Sequence, residues 1–251
     1  MRDLLAQANA GVLDQIAWSN TLLAFDFDGT LAPIVADRDR AAMRARTRRL
    51  FEAVCALYPV AVISGRSMRD VRGRLGEAPV RHVVGNHGME PSEHLARYEA
   101  ETAQAGAQLA VALAGVRGVD IEDKRLSIAV HYRAARHKRA ARAAILAAVQ
   151  ALPTALRVVP GKMVINAVPA DAPDKGDALL RLRADERADT ALYIGDDVTD
   201  EDVFVLDQPG RLLSVRVGRA KVSAAPWFIR DQRAIDVLLS RLAALRAEAR
   251  R

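Results

Sequence analysis

Apolar positions come in short unbroken runs along this chain. Leu22-Leu-Ala-Phe25, Val60-Ala-Val-Ile63, Val83-Val84 and Ala191-Leu-Tyr-Ile194 lack the alternation of a half-exposed strand. Runs of that kind belong to parallel strands covered on both faces. Between them lie stretches with helical spacing, of which about Ala41 to Leu57 is one. The runs end in Asp26-Phe-Asp28-Gly-Thr30, Ser64-Gly-Arg66, Gly85-Asn-His-Gly88 and Gly195-Asp196-Asp197. Strand then helix, repeated, predicts an α/β fold on a doubly wound parallel sheet.

The middle of the chain has a different pattern. A helix from about Leu95 to Leu113 precedes strands at Val119–Lys124 and Leu126–Arg133. A second helix, about Ala135 to Leu152, precedes strands at Ala155–Val159 and Lys162–Val168. This αββαββ block is expected to be an inserted cap domain over the strand ends. The expected division is a core of residues 1–92 and 170–251 with a cap of 93–169. Alternation within the cap strands is clear. Val119 and Ile121, then Leu126, Ile128, Val130 and Tyr132, then Met163, Ile165 and Ala167 make apolar faces. The opposite faces collect Glu122, Lys124, His131, Arg133, Lys162 and Asn166, which suits hydrogen bonding to a polyhydroxylated ligand or a plain solvated surface.

Composition narrows the class. Hydrophobic residues make up 51% of the 251 and charged residues 27%, which supports a globular core and excludes a low-complexity chain. The single cysteine, Cys55, excludes an internal disulfide framework and is expected in the core. No apolar run approaches the ~18 residues of a membrane span. Residues 1–18 carry acidic and amide groups and no uninterrupted apolar stretch, so no leader is expected and the location expected is cytoplasmic. The net charge of +6 hints at anionic partners, but the basic residues are spread out, and the run from Arg133 to Arg142 suits a solvated helix face. At 4% aromatics a base-stacking platform is poorly supplied, so no nucleic-acid partner is expected. Trp18 and Trp227 are expected to pack rather than bind.

In open parallel sheets ligands lie beyond the carboxyl ends of the strands. Every chemically notable cluster here follows a strand. Asp26 and Asp28 flank one residue before Gly29-Thr30, where the alternative is a solvated turn. Asp196, Asp197 and Asp200 follow another strand. If the two clusters converge, each carboxylate pair ~4 Å apart repels by about 4 kcal/mol at an effective dielectric of 20, which calls for a cation. Oxygen donors without histidine or cysteine favour Mg²⁺ over zinc. Lys175, at an expected helix start, could hold an anion and restrain a carboxylate. Ser64 offers a hydroxyl before Gly65. Arg66 would touch phosphate or pair with an acid. His87 would be a turn residue satisfied by backbone, a hinge or a substrate contact. These parts suit phosphoryl transfer through a carboxylate nucleophile.

Asp26-Phe-Asp28-Gly-Thr30, Ser64, Lys175 and Gly195-Asp-Asp-Val-Thr-Asp200 resemble, in order and spacing, the four motifs of the haloacid dehalogenase superfamily. Within it the chain is similar to the trehalose-6-phosphate phosphatases, through Val62-Ile-Ser-Gly-Arg66, Gly85-Asn-His-Gly88, Ile121-Glu-Asp-Lys124, Ser127–Arg133 and Gly161-Lys162. The resemblance runs from about Leu22 to Trp227. It implies an Mg²⁺-dependent phosphatase of trehalose 6-phosphate with a haloacid dehalogenase-like core. Asp26 would be the nucleophile and Asp28 the general acid/base. Asp26, the carbonyl of Asp28 and Asp196 would hold the metal, with Asp197 or Asp200 assisting. Ser64 and Lys175 would bind the transferring phosphoryl group. Arg66, Asn86, His87, Glu122, Lys124, His131, Arg133, Lys162 and Asn166 would serve substrate binding. Relatives usually carry glutamate where this chain has Asn166, which would bear on the sugar accepted and not on the phosphoryl chemistry. Other expectations are a monomer, no membrane partner, and functional coupling to a trehalose-6-phosphate synthase. The alternatives are a phosphatase for another sugar or glycosyl-polyol phosphate, or a catalytically silent sugar-phosphate-binding domain.

Overall fold

The computed structural model describes residues 1–161, 163–206 and 208–249. The strands are β1 (Arg2–Asp3), β2 (Thr21–Phe25), β3 (Val60–Ile63), β4 (His82–Val84), β5 (Asp120–Asp123), β6 (Ile128–His131), β7 (Leu156–Gly161), β8 (Val164–Pro169), β9 (Thr190–Gly195), β10 (Leu212–Val217) and β11 (Trp227–Ile229). The α-helices are α1 (Ala10–Trp18), α2 (Ala45–Cys55), α3 (Met68–Leu75), α4 (Leu95–Ala112), α5 (Lys138–Gln150), α6 (Lys175–Asp185), α7 (Glu201–Phe204) and α8 (Ile235–Ala249). None of the described helices is long and apolar enough to cross a membrane.

Two compact units form, Met1–Glu90 with Pro173–Arg251, and Pro91–Ala172. The first holds a seven-stranded sheet in the order β1-β11-β10-β9-β2-β3-β4. Every pairing in it is parallel. From β2 the chain steps outward through β3 and β4, then returns to β9 on the other side and steps outward again. The order reverses between β2 and β9, the place where such sheets open a crevice at their carboxyl ends.

The unbroken apolar runs follow from burial on both faces. Leu23, Phe25, Val60, Val62, Leu192 and Ile194 face one core with Leu13 and Ile16 of α1, Phe51 and Val54 of α2, and Leu238, Leu239 and Leu242 of α8. Leu22, Ala24, Ala61, Ile63, Ala191 and Tyr193 face a second core with Ala178, Leu179 and Leu182 of α6 and Phe204 of α7. The expected doubly wound sheet is the observed one. Cys55 is in the first core. Trp227 is buried as expected, but Trp18 is 68% exposed. Leu13, Ile16 and Ala17 make the buried stripe of α1, and Trp18 falls outside it at the helix end.

The second unit has the expected αββαββ order. Its antiparallel sheet runs β5-β6-β8-β7. Ile128, Val130, Ile165 and Ala167 pack against Ala105 and Leu109 of α4 and Ala141, Ile145 and Val149 of α5. Met163 departs from the expected apolar face. It has φ +61° and is 37% exposed, because the chain is turning there between β7 and β8.

Candidate active site

The ladder between β2 and β9 continues one step past β2, where the Asp26 N–H donates to the Ile194 carbonyl at 2.9 Å. Asp26 therefore stands at the carboxyl end of a central strand, beside the turn that follows β9. Two glycines let the acidic segments close on each other. Gly29 has φ +83°, and a side chain there would run into the Asp196 carboxylate. A side chain at Gly195 would run into the carboxylate of Asp200. The close approach, more than any turn propensity, requires glycine at both positions.

Lys175 is the first residue of α6. A capping box fixes that helix start: Asp174 accepts the Asp177 N–H at 3.0 Å, and Asp177 accepts the Asp174 N–H at 3.1 Å. The Lys175 ammonium donates to Asp26 Oδ1 at 2.8 Å and to Asp200 Oδ1 at 2.7 Å. All three residues are buried. Asp200 Oδ1 also accepts the Tyr193 hydroxyl at 2.6 Å, and Oδ2 accepts the Asp197 N–H at 2.8 Å. Asp196 completes the cluster. Asp26, Asp196 and Asp200 each offer an oxygen, all within 4.8 Å of one another.

The electrostatics follow from burial. Burial pushes Asp26 well above the ordinary carboxylate range; Lys175 draws it down, while Asp200 and Asp196 push it up. Burial acts on Asp200 in the same direction, but Lys175, the Tyr193 hydroxyl and the Asp197 N–H prevail and hold it low. Asp196 is pushed up to about 7 by burial and then by Asp200 and Asp197, against Lys175 and Arg216. Lys175 itself is held above the usual lysine value because Asp200 and Asp26 outweigh its burial. Three carboxylates face one ammonium. The donor set is all oxygen, and its excess negative charge fits a hard divalent cation.

Asp28, expected to hold the metal through its carbonyl, and Asp197, expected to assist, have their carboxylates outside this group of three. Asp28 turns to Arg66, which donates to it through Nε at 2.5 Å and a terminal nitrogen at 2.8 Å. Asp197 is exposed, and its N–H, bonded to Asp200 Oδ2, opens the turn that carries Asp200. Of the two roles open to Arg66, the structure shows pairing with acids. Ser64 is buried just past β3, with its N–H on the Val84 carbonyl at 2.9 Å and its hydroxyl accepting the Arg66 N–H at 3.2 Å.

The Gly85–Gly88 loop is tied to this Ser64 turn. The His87 N–H donates to the Ser64 carbonyl at 2.9 Å and the Asn86 N–H to the Arg66 carbonyl at 2.8 Å. Asn86 and His87 have φ of 48° and 58°. The His87 ring lies so near Gly65 that a side chain there would collide with it.

In the second unit, Glu122 accepts from His131 Nε2 at 2.9 Å and lies 3.8 Å from the Lys124 ammonium. Register places Glu122, Ala129, Asn166 and Val159 in one cross-strand row. The Asn166 amide donates to the Val159 carbonyl at 3.3 Å. Arg133 is exposed just past β6. Lys162 lies outside the described residues.

Two groups shape the acidic cluster that sequence alone does not point to. Tyr193 is the one phenol in its strand, and a buried phenol needs a partner. Arg216 is the one charge in β10; it donates to the Asp196 carbonyl at 2.5 Å and to Glu201 at 3.0 Å, and so holds the turn after β9.

A doubly wound core carrying these carboxylates and a lysine at its strand ends, with an inserted antiparallel unit, is the haloacid dehalogenase-like fold with a cap domain. A model of the trehalose-phosphatase family matches residues 24–228, and the chain belongs to that family. The trehalose-phosphate phosphatase of Mycobacterium avium strain 104 is 38% identical over 214 residues, which cover 79% of this chain and 54% of that protein. The chain spans about half the length of the curated relatives it matches. Among solved structures, Aspergillus fumigatus trehalose-6-phosphate phosphatase (crystal form 3) superposes with a TM-score of 0.76 at 24% identity, over 97% of this chain and 99% of that one. The C-terminal domain of Candida albicans trehalose-6-phosphate phosphatase gives 0.74 at 22% identity, over 94% and 97%. At these identities the likeness is one of fold.

Proposed function

We propose that the chain is an Mg²⁺-dependent phosphatase that hydrolyses trehalose 6-phosphate to trehalose and phosphate. The observation that carries this reading is the buried Lys175 bridging Asp26 and Asp200 at the strand ends of a trehalose-phosphatase family member. An Asp26 oxygen attacks phosphorus as the ester P–O bond breaks, and protonated Asp28 gives its proton to the departing sugar oxygen. The Asp28 carboxylate then takes a proton from water. The water oxygen attacks phosphorus, the bond to Asp26 breaks, phosphate leaves, and both aspartates return to their starting forms. Ser64 and Lys175 hold the transferring phosphoryl group. Asp26, Asp196 and the Asp28 carbonyl would hold Mg²⁺, assisted by Asp200 or Asp197, and the ion when bound neutralises charge on nucleophile and phosphate.

For the sugar we propose Glu122, Lys124, His131, Arg133, Lys162 and Asn166, with Asn86 and His87 as further contacts. Asn166 motivates a second reading, a phosphatase for another sugar or glycosyl-polyol phosphate, because an amide takes the place of the glutamate usual in relatives.

The test is phosphate release from a panel of sugar phosphates, with Mg²⁺ and with chelator, by the wild type and Asp26→Asn. Metal-dependent release that favours trehalose 6-phosphate and vanishes in the variant is expected. A different preferred sugar would select the second reading, and no release from any substrate would overturn both.

A further inference from the structure

Arg66 is 2% exposed, yet no sugar or phosphate is needed to explain its burial. Its guanidinium grips both oxygens of Asp28, at 2.5 and 2.8 Å. It also donates to Asp70 at 2.8 Å and to the Arg38 carbonyl at 2.7 Å. Four of the five N–H groups a guanidinium carries thus have protein acceptors. Asp70 is in turn gripped by Arg74 at 2.8 Å, and Arg74 donates to the Ala41 carbonyl at 2.6 Å. The result is a chain of charges, Asp28–Arg66–Asp70–Arg74, that anchors the loop after Asp26 to α3 and to the 38–41 turn.

Two features separate this from a plain strut. Asp70 alone would neutralise Arg66. The Asp28 side chain is 35% exposed and would be hydrated without help. The two-point grip is therefore not needed to compensate a buried charge. What it does is fix the plane and position of one carboxylate, two residues after Asp26, as parallel fork contacts do and a single ammonium cannot.

We propose that Arg66 is a positioning residue for Asp28: its fork, held by Asp70, sets where the Asp28 carboxylate stands relative to the reacting phosphorus. This rests on the phosphatase reading above, in which Asp28 protonates the departing sugar oxygen. Its loss therefore falls on substrates whose leaving group needs that proton. An aryl phosphate, which departs as a stabilised phenolate, is spared.

The experiment measures kcat/KM, which reports the first phosphoryl transfer, for trehalose 6-phosphate and for p-nitrophenyl phosphate. The proteins are the wild type, Arg66→Lys, Asp28→Ala, the double variant and Asp70→Asn. Arg66→Lys should lose about tenfold on the sugar phosphate and less than about twofold on the aryl phosphate, a part of the roughly hundredfold or more that a positioned acid contributes. The double variant should be no worse than Asp28→Ala alone, because the arginine acts through the aspartate. Asp70→Asn, which keeps both partners, should show the same selectivity at about threefold and covers the case in which Arg66→Lys does not fold. Even losses on both substrates from Arg66→Lys or Asp70→Asn, or additive losses in the double variant, would overturn the inference while leaving the phosphatase reading intact. Even losses from Asp28→Ala would overturn the acid role of Asp28 and the inference with it.

Discussion

At the scale of single residues, Lys175 is where stability and chemistry meet. Removing it leaves Asp26 and Asp200 buried with no opposite charge between them. Lys175→Ala should cost about 3–5 kcal/mol, as breaking a buried pair does, read by urea denaturation in chelator. Asp196 gives the pH dependence of the metal-free chain. Its folded value of about 7 lies above the unfolded carboxylate value, so between the two the folded state binds more protons. This group's contribution to stability therefore falls as pH rises from about 4 to about 7, then levels off. Denaturant midpoints in chelator across that window should fall less steeply for Asp196→Asn than for the wild type; equal slopes would count against the assignment. Asp26, Asp196 and Lys175 were legible from motif spacing because each follows a strand end or opens a helix. The partner of Asp28 was not, since Arg66 sits one residue past a glycine and its direction depends on how α3 packs.

At the scale of elements, strand patterning carried most of the information. The apolar runs marked β2, β3, β4 and β9 because both faces of each are covered, and alternation marked the polar faces of β5, β6 and β8. The failures lie where an element ends. Met163 keeps the alternation of its neighbours but sits in a turn with positive φ, and Trp18 continues a helix whose buried stripe has already closed. Periodicity has no means of showing either. The capping box of α6 makes a sharper prediction. Asp174→Ala removes the acceptor for the Asp177 N–H and should cost about 0.5–2 kcal/mol. It should also lower the proposed phosphatase activity, because the cap fixes the turn that aims Lys175. Undiminished activity beside lost stability would separate the cap from the site.

At the scale of the whole molecule, the acidic cluster gathers residues from positions 26, 196 and 200, so a cation that binds there binds the folded chain alone. Stability should rise with Mg²⁺, by about 2.7 kcal/mol when the ion is at a hundredfold its dissociation constant. Thermal melts with and without chelator should show the shift in the wild type and lose it in Asp196→Asn. Burial also ties the two sequence segments of the first unit into one core: Leu239 of α8 is 0% exposed against strands from the first half of the chain. Leu239→Ala should cost about 2–5 kcal/mol, measured by the same melts.

The contrast between the two tryptophans gives the chain an optical asymmetry. Trp18 is 68% exposed, while Trp227 is 5% exposed in β11 with the Arg2 guanidinium 4.0 Å from its ring centre. The folded protein should emit as two populations, a red-shifted one that acrylamide quenches and a blue-shifted one that it does not. Because Arg2 and Trp227 are register partners, release of the short first strand would change the blue-shifted fraction alone. Trp18→Phe would leave a single tryptophan that watches the edge of the sheet from within.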